Sequence, residues 1–207
     1  MVRLVLLAGL AGVLPGCTTG STPEPPSRTI AASSTLQPPS ASPRVAPGVV
    51  GEATQTPSIP PLASPPRWIS YPAARIDVPV LALTPSTEEL AAGSLVPPMT
   101  MDAYWLTNYG QPGSGSNNTT YIVGHSWEKA DAPFNGLSNQ SAVGDELSVG
   151  TATGTIKYTV QSVTTHNKDT LRTSDVWNKA PGRLILISCY TDDIWGKNVV
   201  VMAVPSR

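Results

Sequence analysis

One thiol and one imidazole, each closing an apolar run, are the residues of this chain best placed to do chemistry. Cys189 ends Leu184-Ile185-Leu186-Ile187-Ser188-Cys189, and His125 ends Thr120-Tyr121-Ile122-Val123-Gly124-His125. Runs this apolar and β-branched predict buried strands. A strand holds its last residue rigidly at its rim, where a thiol is half exposed and reactive. A thiolate is a nucleophile once something stabilises it, and it forms a thioester with a peptide carbonyl. An imidazole beside it forms an ion pair with the thiolate or gives a proton to the leaving amine. Each residue alone has a plainer reading, as a small buried hydrophobe or a hydrogen-bonded rim histidine. Matching strand ends favour the pair. The other histidine, His166, lies in the polar stretch Thr164-Thr165-His166-Asn167-Lys168 and is expected to be a solvated loop residue.

The chain has 207 residues, a formal net charge of −1 and 13% charged residues, enough for one domain with appendages. No basic run stands out, which argues against a nucleic-acid binder. The only two cysteines are Cys17 and Cys189. A disulfide between them is disfavoured because Cys17 sits in what reads as an export signal. The exported domain then carries one leftover thiol, a candidate nucleophile. No CxxC or HExxH pattern supports zinc, and no Gly-rich loop opens a helix to hold a nucleotide. The acidic pairs Asp192-Asp193 and Asp145-Glu146 are expected to be solvated. No cofactor and no metal are called for.

The elements that must position Cys189 and His125 lie in the last two thirds of the chain. Residues 1–17 begin with Arg3 and an apolar run, Leu4 to Leu14, too short for the ~20 residues of a membrane span. They fit a secretory signal ending in Leu14-Pro15-Gly16-Cys17, which resembles a bacterial lipobox. Two outcomes stay open: acyl chains on Cys17 tether the protein, or the signal is simply cut nearby. Residues 18–66 hold more than half of the 22 prolines and no aromatic residue, so they read as a disordered Pro/Ser/Thr-rich linker. The folded domain is expected over 67–207.

Within it, Arg75 to Val80 reads as a first strand, with Pro79 suggesting an edge. Asp102 to Trp105, Thr119 to Val123, Leu184 to Ser188 and Val199 to Val204 read as further strands. Gly144 to Val149 and Thr155 to Val160 alternate cleanly about a turn and predict a hairpin. Short helical turns are expected near Pro133 to Leu137 and at Val176-Trp177. Strands outnumber helices, so the fold expected is mainly β, a closed or nearly closed antiparallel barrel.

Tyr121-Ile122-Val123-Gly124-His125-Ser126-Trp127, followed by Leu186-Ile187-Ser188-Cys189, resembles the two signature segments of the sortases. The resemblance covers roughly Ala74 to Val204 and takes in Val96-Pro97, Tyr104-Trp105, Pro112-Gly113, Phe134 to Leu137 and Gly144-Asp145. It looks closest to the class F or E sortases of actinobacteria. What it implies is an exported cysteine transpeptidase on an eight-stranded β-barrel with one or two short helices. Such an enzyme would cleave an LPxTG-type sorting motif of exported proteins between Thr and Gly. Cys189 matches the family's cysteine and His125 its histidine. The acyl group would pass to a cell-wall or pilin amine, or to water. A monomer tethered to the membrane through its N-terminus, outside the cytoplasm, is expected.

The family also carries an arginine on the strand after the cysteine, thought to stabilise the oxyanion. Here that stretch reads Asp193 to Val200 and has no arginine. Asn198 is the favoured replacement, with Lys197, Arg172 and Arg75 as other candidates. An amide donates to an oxyanion, but the charge-assisted bonds of a guanidinium are about twice as strong. The missing arginine also supports a weakly active or inactive lipoprotein that binds sorting peptides. An L,D-transpeptidase of the cell wall is a further alternative. Its cysteine usually follows a His-Gly pair, however, and here Ile187-Ser188 precede Cys189.

Overall fold

The computed structural model describes residues 60–206. The expected signal at 1–17, and the expected linker up to residue 59, lie outside the described residues. Eight strands close into one barrel in the order β1-β2-β3-β4-β7-β8-β6-β5. They are β1 (Pro66–Tyr71), β2 (Ile76–Leu83), β3 (Ala103–Leu106), β4 (Thr120–Val123), β5 (Glu146–Thr151), β6 (Thr155–Asn167), β7 (Leu184–Cys189) and β8 (Lys197–Pro205). The helices are short: α1 (Thr87–Ala92), α2 (Gly136–Asn139), α3 (Lys168–Leu171) and three 3-10 turns. Among the described residues no helix is long and apolar enough to cross a membrane.

The mainly β, closed eight-stranded barrel agrees with the expectation, but its pairing is not all antiparallel. β2 runs parallel to β3, and β4 parallel to β7. Parallel neighbours need a long crossover. The chain between β2 and β3, residues 84–102, therefore travels back along the outside of the barrel. It carries α1, which begins with a reciprocal cap between Ser86 and Glu89 and ends on left-handed Gly93. This crossover becomes a wall of the site.

Two other expectations are corrected. The strand at Ile76 is the second, because Pro66–Tyr71 already forms β1 with Ile69 and Tyr71 turned into the core. Nor is β2 an edge: it lies between β1 and β3. It meets β1 along Ile76–Pro79 and β3 from Val80 onward, so Pro79 sits at the handover, where a missing N–H disturbs the ladder least. The fold also starts slightly before Pro66. The Ala63 N–H donates to the Ser114 carbonyl at 2.8 Å, and the Ser64 N–H to the Pro112 carbonyl at 3.1 Å.

The core explains why β4 and β7 are apolar throughout. Every strand sends alternate residues into the barrel, among them Ile122, Leu184, Leu186, Val199 and Val201. The intervening residues Tyr121, Val123, Ile185, Ile187 and Val200 form a second cluster on the outside, roofed by Leu171, Leu95, Tyr109 and Trp177. Burial on both faces removes the usual alternation. Each such side chain contributes about 1.5–3 kcal/mol.

A tight closure seals one part of the barrel. A Cβ on Gly136, at the start of α2, would lie 1.8 Å from the Ala74 carbonyl oxygen, a backbone atom that cannot swing away. Gly136→Ala is therefore expected to destabilise by about 1–3 kcal/mol, lowering Tm by roughly 4–12 °C in a thermal melt. An unchanged Tm would show that this closure yields easily.

Candidate active site

Strand parity brings the thiol and the imidazole together. β4 and β7 pair in parallel with Val123 opposite Ile187, and His125 and Cys189 each lie two residues further on. Val123 and Ile187 belong to the outer cluster, so alternation turns His125 and Cys189 to the outer face as well. Asn198 is the direct partner of Cys189 across β7 and β8 and shares that face. All three line one cavity of about 560 Å³ on the outside of the barrel. Its floor is Leu106, Val123 and Ile187. One wall is the β2–β3 crossover, with Leu90, Leu95 and Val96, and the other is the β6–β7 connection, with Lys168, Leu171 and Trp177. At the mouth stands Trp195, 86% exposed.

The residues between have a physical reason for being small. Gly124 and Ser188, on the other parity, turn inward, and Gly124 lies against Phe134. A Cβ on Gly124 would come within 2.6 Å of the Phe134 ring, so any side chain there would push the strand end, and His125 with it, outward. Ser188 is 4% exposed, and its hydroxyl donates to the Gly124 carbonyl at 2.7 Å. With that proton committed, the Ser126 hydroxyl donates to Ser188 Oγ, also at 2.7 Å. This buried pair fastens the segment carrying His125 to the strand carrying Cys189. The loop beyond is held by Asn135, whose amide bonds both backbone groups of Trp127.

Ser188→Ala would strand the Gly124 carbonyl and the Ser126 hydroxyl in a dry place, costing about 1–3 kcal/mol. The two candidate groups, Cys189 and His125, would then lose register. Turnover of a cleaved peptide is expected to fall roughly 10–100-fold, mainly in kcat, since a misplacement of about 1 Å is worth ~10²-fold. A rise in KM alone would assign Ser188 to substrate binding instead.

His125 is half-buried, and its Nε2 lies 2.9 Å from the Pro97 carbonyl oxygen. A carbonyl only accepts, so Nε2 carries a proton and Nδ1 is the nitrogen left to exchange one. Half-buried Cys189 has a different neighbour. The Lys168 ammonium, at the start of α3, donates to Sγ at 3.4 Å and to the Ile194 carbonyl at 2.7 Å. Sequence reasoning missed Lys168, which fell in a stretch expected to be a solvated loop.

That stretch is instead the end of β6. His166 pairs with Asn198, is half-buried, shares a 3.0 Å hydrogen bond with Thr164, and lines a separate cavity. Of the candidates for the missing arginine, Asn198 and Arg172 line the Cys189 cavity, whereas Arg75 and Lys197 do not. Arg172 is exposed and packs its stem against the Gly93 side of the wall.

The acidic pairs have local partners. Asp145 accepts from the Tyr71 hydroxyl and the Ala142 N–H, both at 2.8 Å, Asp193 caps Gly196, and Asp192 accepts from Tyr190. Burial above all, with the Asp145 carboxylate adding, pushes the Tyr71 hydroxyl up to about 12, so it stays a neutral donor.

Barrel and cavity together describe a β-barrel protein that presents one thiol beside an apolar groove. The Sortase domain family matches residues 69–206, so the chain belongs to the sortase family, a family of cysteine transpeptidases. A comparison with curated proteins finds no match. Among solved structures, sortase C1 of Streptococcus agalactiae is similar at a TM-score of 0.52 and 19% identity, covering 68% of each chain. Sortase C-1 from Actinomyces oris gives 0.50 and 21%, covering 68% of this chain and 73% of that one. A Clostridium perfringens sortase D5 transpeptidase gives 0.50 and 17%, with 69% and 79% covered. At these identities the likeness is one of fold.

Proposed function

We propose that this protein is a working sortase that cleaves an LPxTG-type sorting motif between Thr and Gly outside the cytoplasm. The observation that carries the reading is the common face: Cys189, His125 and Asn198 project from adjacent strands into one cavity. The Cys189 thiolate attacks the threonine carbonyl carbon, and the C–N bond to glycine breaks. His125 supplies the proton that the leaving amine needs. An amine, or water, then attacks the thioester and returns the thiolate. The Asn198 amide is the neutral donor nearest the thiol along the strand pair and is assigned to the oxyanion. The apolar floor and walls suit the leucine and proline of such a motif. The class F or E placement rests on the signature segments, and the envelope tether on residues 1–17.

The test is the intact mass of the full chain after incubation with a pool of LPxTG-like peptides, without an amine acceptor. A gain equal to the acyl half of one peptide establishes the reaction and reveals the motif. No adduct and no cleavage, from a folded protein with a reactive thiol, would leave a peptide-binding module. The neutral residue at 198 would then be its explanation.

A further inference from the structure

We infer that Lys168 is a catalytic residue of this site: its ammonium holds Cys189 as the thiolate, supplying the positive charge that position 198 lacks. The inference rests on reading Cys189 as the nucleophile. Its ground is geometric. Lys168 Nζ is 3.4 Å from Sγ, a contact length suited to N–H···S, and His125 is turned to the Pro97 carbonyl instead. Besides the thiol itself, five charged or titratable groups line the cavity. His125 comes from the end of β4, Lys168 and Arg172 from the β6–β7 connection, Glu89 from α1, and Tyr109 from the loop after β3, its hydroxyl pushed up by burial and so neutral. Glu89 is committed to its helix cap, and Arg172 lies against Gly93. The strand partner on the far side, Asn198, is neutral. Lys168 is thus the cation in contact with sulfur.

The ammonium is also held in place. Its own backbone N–H donates to the Gly196 carbonyl at 2.9 Å, and Nζ bonds the Ile194 carbonyl two residues earlier. Two anchors on the β7–β8 connection fix the start of α3 over the strand end that carries Cys189. A point charge with three donors suits this role, since one donor goes to Ile194, one to sulfur, and one is left facing the cavity. When a carbonyl carbon bonds to Sγ, its oxygen develops negative charge one bond away. The same ammonium is near enough to oppose that charge as the thiolate's own is consumed.

Glutamine and arginine at 168 both keep the backbone N–H that donates to Gly196, so the variants are expected to fold. The experiment uses the full chain in a Cys17→Ser background, leaving Cys189 as its only thiol. Lys168→Gln and Lys168→Arg are compared with the parent in alkylation by neutral iodoacetamide and by anionic iodoacetate near pH 7, and in ultraviolet thiolate absorbance. Lys168→Gln is expected to slow iodoacetamide roughly 10-fold or more, the worth of a charged hydrogen bond. It should slow iodoacetate further still and lose thiolate absorbance. Lys168→Arg should recover most of both. Parental rates and charge preference in Lys168→Gln would overturn the inference. So would equal losses in Gln and Arg, which would make Lys168 a structural anchor only. None of these readouts needs a sorting peptide. A Lys168-dependent thiolate in a protein that cleaves nothing would therefore sink the transpeptidase reading and keep only the pairing of Lys168 with the thiolate.

Discussion

Cys189→Ala is expected to abolish the acyl adduct and to lower turnover by on the order of 10⁴–10⁶-fold, as removal of a nucleophile does elsewhere. No neighbouring group can stand in. Of the two hydroxyls adjacent in sequence, that of Tyr190 donates to Asp192, and that of Ser188 points into the barrel and gives its proton to the Gly124 carbonyl. Ser126, bonded to Ser188, gives its own proton to it and is 3% exposed. Neither serine can reach a peptide on the outer face without breaking the pair that joins the two strand ends. The substitution is also mild for the fold, because the thiol is half-buried at a cavity wall and alanine leaves no polar group unpaired. A melt close to that of the parent, with no adduct in the mass spectrum, is the expected pair of results. Retention of more than a tenth of the parental turnover would remove Cys189 from the mechanism, and with it the case for a common reacting face.

The legible part of this site was what lies along one strand. Leu184 to Ile187 announce a strand buried on both faces because both faces are in fact covered, one by the barrel core and one by Leu171, Tyr109 and Trp177. Gly124 lies within the quoted signature run, and the structure gives its reason, since a Cβ there would strike Phe134. What joins distant segments was not legible. Side-chain alternation does not encode strand direction, so the parallel pairs β2–β3 and β4–β7 left no mark in the pattern. The crossover that walls the cavity follows from that direction and was hidden with it. Its helix, however, had a local signal in Ser86-Thr87-Glu88-Glu89, a capping box ahead of Leu90. β1 was hidden by its pattern, since it begins on the last proline of a proline-rich stretch and puts only Ile69 and Tyr71 into the core cluster. Lys168 could not have been found locally. Its place depends on β6 continuing to Asn167 and on its register with β8, which sets His166 beside Asn198 and delivers the next turn over the thiol. The rule that emerges is that motif residues are read from what they pack on, while their electrostatic partners arrive through topology.

His125→Gln separates the roles of the two basic groups. Glutamine can still donate an N–H to the Pro97 carbonyl, which fixes His125 Nε2 at 2.9 Å, but it cannot exchange a proton. Turnover of an amide substrate is expected to fall ~10²–10⁴-fold, the usual worth of a positioned acid or base. The reason lies in the leaving group. An amine departs from the tetrahedral intermediate only as it gains a proton, so without Nδ1 the intermediate collapses back to thiolate and peptide. A peptide thioester or activated ester needs no such help. On those substrates the variant should stay within about tenfold of the parent, because the lost acid contributes little where the leaving group is good. Iodoacetamide alkylation of Cys189 should likewise be nearly unchanged, since the sulfur's hydrogen-bond partner is Lys168 and not the imidazole. If amide, thioester and alkylation rates all fell together, His125 would be the thiolate's counter-charge and Lys168 would be left with the Ile194 carbonyl alone. If only the amide rate falls, the division of labour is established: lysine for the nucleophile, histidine for the leaving group.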